Sequence, residues 1–140
     1  EMEIQFDTEQ VKAWLDENFE SDFWTEGALR CLGCGVCSFL CPTCHCFDIV
    51  NESPYNRGER RRNWDCCSFR QFTLHASGHN PRADQTARCR QRVMHKFKYF
   101  QDRFDSIACV GCGRCATNCG VGQNLVSILS RIQEMSGTAT

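Results

Sequence analysis

No apolar run in this 140-residue chain approaches the ~20 residues that a membrane-spanning helix needs, so the sequence is not expected to cross a bilayer. No secretory leader opens it; the first residues are acidic and amphipathic, and export is not expected. Motifs of common catalytic chemistry are missing too. There is no GxxxxGK[ST] loop to cradle phosphates, no GxGxxG fingerprint, no HExxH pair for zinc and no GxSxG elbow. Strand-like alternation is scarce, which argues against a sheet-dominated fold.

Cysteine, by contrast, is abundant. Thirteen in 140 residues is a usage that signals disulfides or metal. An odd count without a secretion signal points to a reducing, cytoplasmic setting and to metal-bound thiolates. Eight of the thirteen form an internal repeat. Cys31-x2-Cys34-x2-Cys37-x3-Cys41 recurs as Cys109-x2-Cys112-x2-Cys115-x3-Cys119, and even the filling of CLGCGVC matches CVGCGRC.

Three cysteines spaced by two residues, with a fourth to follow, form the ligand run of a [4Fe–4S] cluster. A chain wrapping so small a cube must turn sharply at each ligand. Gly33, Gly35, Gly111 and Gly113 allow positive φ and close backbone approach there. Their N–H groups can then point at cluster sulfurs and tune the potential. In two-cluster proteins the fourth cysteine ligates the other cluster. This assigns Cys31, Cys34, Cys37 and Cys119 to cluster 1, and Cys109, Cys112, Cys115 and Cys41 to cluster 2. Zinc held by two CxxC pairs leaves the third and fourth cysteine of each run unexplained. Disulfides fail on geometry, because neighbouring ligands in such a run rarely face one another.

Five cysteines remain. Cys44 and Cys46 follow the first run as CPTCHC, Cys66 and Cys67 are adjacent, and Cys89 stands alone. The bland account makes all five buried small residues in a reducing cell. The sharper one is a third metal centre, with Cys44, Cys46 and Cys67 as its best ligands and Cys89 in the core. His45, His75, His79 and His95 are scattered and read as structural.

The net charge of −1 hides an asymmetry. Residues 1–26 hold nine acids against Lys12 alone, whereas residues 57–103 hold twelve bases and four acids. Such blocks suggest docking faces, or faces that meet each other or neutralise a cofactor. Arg60-Arg61-Arg62 reads as a solvated loop with a second role. An oxidised [4Fe–4S] core with four thiolates carries about −2, so two clusters would take the formal charge to roughly −5, and nearby arginines would offset it.

Apolar periodicity gives the elements. Asp7 caps a helix over residues 8–19, with Phe6 and Val11 as a staple and Val11, Trp14, Leu15 and Phe19 on one face. Residues 51–63 read as a loop, and residues 66–76 as a short helix with Phe69 and Phe72 inward. A long helix is predicted from about Asp84 to Phe104, with Val93, Phe97, Phe100 and Phe104 inward and its other face basic. A last amphipathic helix spans residues 123–135. The fold is predicted to be mainly α. An acidic amphipathic N-terminal helix (1–22) precedes a dicluster domain (23–140) with motifs at 31–41 and 109–119 and a long basic helical insertion, 47–105, between them.

The stretches FWTEGALRCLGCGVCSFLCPTCHCFDIV, RRNWDCCSF, SGHNPR, RQRVMHKF and CVGCGRC resemble one family from about Phe23 to Ile132. It is the dicluster iron–sulfur domain of the beta subunits of cytosolic nickel–iron hydrogenases (sulfhydrogenases) and of the A subunit of anaerobic sulfite reductase. The resemblance implies an α-helical ferredoxin-like topology and the same eight cluster cysteines. It also implies electron relay between a flavoprotein subunit and a catalytic subunit such as a hydrogenase or sulfite reductase. Gly120 stands where that family usually has proline after the last ligand.

The leading expectation is thus a non-catalytic electron-transfer subunit with two [4Fe–4S] clusters. A first alternative is a redox-catalytic protein using a third centre at Cys44, Cys46 and Cys67. A second is a nucleic-acid-binding iron–sulfur protein, drawing on Lys96-Phe97-Lys98-Tyr99-Phe100; the phenylalanine spacing fits a core face better and ranks it last.

Overall fold

The computed structural model describes residues 6–53 and 55–137. Helix α1, Thr8–Glu17, starts where Asp7 accepts hydrogen bonds from the N–H groups of Glu9 and Gln10. Phe6 packs against the same core as Val11, as the staple requires. The short α2, Phe23–Ala28, meets α1 through three rings. Trp14, Phe23 and Trp24 pack edge-to-face, with centroids 5.0, 5.9 and 5.2 Å apart. The Trp24 indole N–H is satisfied by the Asn18 carbonyl at 2.8 Å, so this polar handle is buried without loss.

The two cysteine motifs fold alike. Gly33 and Gly35 have φ of 64° and 78°, and Gly111 and Gly113 have 64° and 70°. Each pair ends in a one-turn helix, α3 (Val36–Phe39) and α6 (Arg114–Thr117), entered from a left-handed glycine. Between the motifs run the hairpin strands β1 (Phe47–Glu52) and β2 (Glu59–Trp64), a 3-10 turn at Arg70–Thr73, and α4 (Gln85–Met94). A π-helical turn (His95–Tyr99) then joins α4 to α5 (Phe100–Phe104), and α7 (Leu125–Gly137) closes the chain. α1, α2, α4 with its π turn, and α7 share one apolar core, including Leu15, Trp24, Val93, Met94, Phe97 and Ile132.

Three sequence expectations need correction. Residues 51–63 are not a loop: β1 and β2 pair antiparallel, Phe47 opposite Trp64 and Glu52 opposite Glu59. The basic insertion therefore opens with a two-stranded ribbon. Arg60 bonds Asn51, and Arg61 pairs with Glu52 and Glu59. These polar contacts, two of them cross-strand, replace the apolar alternation that usually marks a strand. Residues 66–76 hold only the 3-10 turn, because Ser68, Phe69 and Asn80 divert the backbone into turns around it.

The third correction concerns the long helix. Its start is as expected, with the Asp84 carboxylate accepting from the Ala87 N–H. A π turn inserts an extra residue into the winding, so the stripe drifts out of line. Val93 and Phe97 are buried, Phe100 is half-buried, and Phe104 points to solvent. The basic face is buried: Arg88, Arg92 and Lys96, four residues apart, are all inside.

Opposite charge blocks meet across this core. Asp16 pairs with Lys98 and Lys12, Asp102 pairs with both lysines, and Glu20 pairs with Arg90. Asp16 and Glu20 of the acidic segment thus answer bases of the insertion within the same molecule. Among the described residues no helix is long and apolar enough to cross a membrane.

Gly35 gives a test of the motif turn. A Cβ there would sit 2.9 Å from the Phe69 ring and 3.2 Å from Cys66 Sγ, whereas at Gly113 nothing lies within 4 Å. Both substitutions carry left-handed strain, about 1–2 kcal/mol, and Gly35→Ala adds an overpacking cost of about 1–3 kcal/mol. In anaerobic denaturant titrations Gly35→Ala is expected to cost about two to three times as much stability as Gly113→Ala; equal costs would show that the Phe69 contact yields freely.

Candidate metal centres

Two cavities bring the cysteines together. The first, about 440 Å³, is lined by Cys109, Cys112 and Cys115 of the second motif and by Cys41, the last cysteine of the first. Phe97 and Leu129 close its inner side. Two groups tie Cys41 there. The Thr43 hydroxyl, 3.1 Å from Cys41 Sγ, donates to the Ala108 carbonyl at 2.7 Å, and the Lys96 ammonium donates to both. Lys96 Nζ also lies 3.3 Å from Cys41 Sγ. Burial alone would push this thiol up; the Thr43 hydroxyl and N–H and the Lys96 charge bring it down to about 7.

Cys31, Cys34 and Cys37 lie around the first motif's turn. Cys31 is held down to about 5 by the neighbouring Cys89 thiol, with burial opposing and the Gly33 N–H and Gln85 amide adding to it. Gln85 Nε2 donates to Cys31 Sγ at 3.1 Å. Cys37 lies near Cys31 and Arg92, and burial raises its pKa. Cys34 and Cys112 are the exposed members of their runs. α3 touches α6, so the two motifs abut. No hydrogen bond among the described residues joins Cys119 to Cys31, Cys34 or Cys37.

The second cavity, about 390 Å³, is lined by Cys44, Cys46 and Cys67 together with His45 and His95. Cys46 is drawn down to about 6, chiefly by the Cys67 thiol, and Cys67 is pushed well up as the partner that keeps its proton. Burial raises Cys44 to about 11. Cys66 does not line this cavity. It is fully buried, with its sulfur against the Gly35 carbonyl and accepting from the Ser68 N–H. Cys89, expected in the core, packs against it and touches Cys31.

The groups that sequence reasoning missed are the buried cations. Lys96 is 2% exposed and Arg92 is 7%, and neither meets a carboxylate among the described residues. Arg92 faces Cys37, Cys115 and Cys44; burial opposes its charge, and these sulfurs more than restore it. Its Nε is buried without a hydrogen-bond partner among the described residues. A buried charge needs a counter-charge, and among the described residues the candidates are thiolates and what they would hold. Arg60, Arg61 and Arg62, by contrast, lie exposed on β2. The signal for the right cations was present: bases at spacing four on a helix otherwise rich in core residues.

Four thiols around one cavity, buried cations without acids and an orphaned donor together fit an anionic iron–sulfur cluster. Among the described residues no three His, Cys, Asp or Glu side chains converge closely enough for a single metal ion.

Residues 30–123 match the family model of the 4Fe–4S dicluster domain. The chain is also similar to a sulfhydrogenase 2 subunit beta from Pyrococcus furiosus, 37% identical over 125 residues. That match takes in 86% of this chain and 36% of the relative, so the chain spans about a third of the relative's length. No solved structure matches it.

Proposed function

Because the chain belongs to the 4Fe–4S dicluster domain family, whose cofactors are two [4Fe–4S] clusters, we propose that it is an electron-transfer module relaying single electrons within a larger oxidoreductase complex. When bound, each cluster supplies a one-electron couple. The observation that carries the ligand assignment is the cavity ringed by Cys41, Cys109, Cys112 and Cys115. It supports an exchange of fourth ligands, leaving Cys119 to complete the set with Cys31, Cys34 and Cys37. Around these thiols the chain's own residues set charge and solvent access. Lys96 and Arg92 offset thiolate charge from within, and Phe97 and Leu129 wall off water.

Electrons need a way in and out. Cys34 and Cys112 are exposed, and exposed apolar side chains flank the first in the sequence: Leu29 is 79% exposed, Leu32 75% and Phe39 53%. An apolar lip around a redox centre fits a docking site for a protein partner. The relative is a subunit of a sulfhydrogenase, and the partners we propose for this chain are a flavoprotein donor and a catalytic subunit. Trp14, Phe23 and Trp24 do not serve as contacts, since they form the core, and Phe19 packs beneath Arg90. The proposed nucleic-acid run fares no better, because Lys96 and Phe97 are buried and Lys98 is ion-paired.

Anaerobically prepared protein should hold at least about eight iron and eight sulfide per chain, with interacting S = ½ signals on reduction. A content of about four iron, or zinc in place of iron, would overturn the two-cluster reading.

A further inference from the structure

We propose that the cavity ringed by Cys44, Cys46 and Cys67 holds a third iron–sulfur cluster of the [4Fe–4S] type, with the His95 imidazole as its fourth ligand. The sequence offered the three cysteines only as candidates. The structure places all three on one cavity, although Cys67 lies 21 positions beyond Cys46 and is separated from it by the whole β1–β2 hairpin. Phe47 and Trp64 pair at the base of that hairpin, which sets Cys46 and Asp65 side by side; the Asp65 N–H donates to the Cys46 carbonyl at 3.1 Å. The hairpin thereby delivers Cys67 to Cys44 and Cys46.

Three further observations favour a cluster over structural cysteines. The cavity, at about 390 Å³, matches the roughly 440 Å³ of the one ringed by Cys41, Cys109, Cys112 and Cys115. A set of core thiols would close around itself, because protein interiors leave few voids of that size. Next, Arg92 and Lys96 line this cavity too, while also facing Cys115 and Cys41 of the other. Two buried cations between two cavities, with no carboxylate on either, suit an anionic centre on both sides. Last, the His95 ring is half-buried on the π turn and makes no hydrogen bond among the described residues. Its ring lies near those of His45 and Phe100. π turns occur often at functional sites, and this one presents His95 and Lys96 to the same cavity.

A single zinc ion is the other occupant that three thiols and an imidazole would take. It is disfavoured by the geometry, since no three such side chains among the described residues converge on one point. Cys66 is left out: its sulfur faces the Gly35 carbonyl and not this cavity. The third cluster would extend the relay, taking one electron from the neighbouring cluster as that cluster is oxidised. Its outward side is Phe47, at the foot of an exposed hairpin.

The test is iron and sulfide analysis with EPR and Mössbauer spectroscopy on the full chain, reconstituted anaerobically with ferrous iron and sulfide. The unmodified protein should carry about twelve iron, and Cys46→Ser or Cys67→Ser about eight, with the signals of the two motif clusters unchanged. Cys66→Ser should keep about twelve, and His95→Cys should keep them while altering the spectrum of the third centre. The unmodified chain's count needs no variant to fold. About eight iron in that chain, alone or with one zinc that Cys67→Ser removes, would overturn the third cluster and leave the two-cluster relay standing. A loss of motif-cluster signals in the unmodified protein would instead strike the relay itself.

Discussion

Cys41→Ser should strip iron from the second cysteine motif, 68 positions away in sequence, and leave the motif that contains Cys41 loaded. The physical reason is where the Cys41 sulfur is held. Thr43 and Lys96 both bond the Ala108 carbonyl, one residue before Cys109, and both reach Cys41 Sγ. The sulfur is thereby stitched to the start of the second motif. A serine there cannot match thiolate ligation, so about four irons should be lost. Pairs of substitutions decide the sharing without any need to assign spectra. If Cys41 and Cys112 serve one cluster, their double Ser variant loses about four irons, since the second change removes nothing more. If Cys41 and Cys34 serve different clusters, that double variant loses about eight. The reverse pattern would show that each run binds its own cluster. Cys119→Ser is the reciprocal case and should act with Cys34, not with Cys112.

What was legible in the sequence was what depends on spacing along the chain. The repeated cysteine runs, their glycines, the Asp7 cap and the helix start near Asp84 are local rules, and each appears where the residues put it. The hairpin was not legible because its stabilising contacts are polar. Arg60 with Asn51, and Arg61 with Glu52 and Glu59, look in sequence like a charged loop. The π turn left no mark either: one extra residue in a winding changes no composition, yet it turns Phe104 out and places Lys96 inside. The face read simply as basic proves to be buried at Arg88, Arg92 and Lys96. The grouping of Cys44, Cys46 and Cys67 was legible as a list but not as a place, because only the hairpin brings Cys67 back to the others.

Lys96→Met should lower the reduction potential of the cluster served by Cys41 by on the order of 100 mV. A unit charge about 5 Å from another is worth about 3 kcal/mol at an effective dielectric near 20, and for a one-electron couple that energy is on the order of 100 mV. The sign follows from the chemistry. Reduction adds negative charge, and a buried ammonium favours the more negative state, so removing it makes reduction harder. Screening by water is slight here, since Lys96 is 2% exposed. Methionine keeps the stem's volume and packing, which separates charge from shape. Lys96→Arg, which restores the charge, should recover most of the shift. The stability of the iron-free chain should rise slightly or hardly change, because without cluster charge only the Cys41 thiolate answers the buried ammonium and its desolvation is less fully compensated. Anaerobic potentiometric titration followed by EPR reads the first effect, and denaturant unfolding of the iron-free chain reads the second. An unchanged potential in Lys96→Met would mean that the ammonium serves only to pin Thr43 and Ala108, and that Arg92 alone balances the charge.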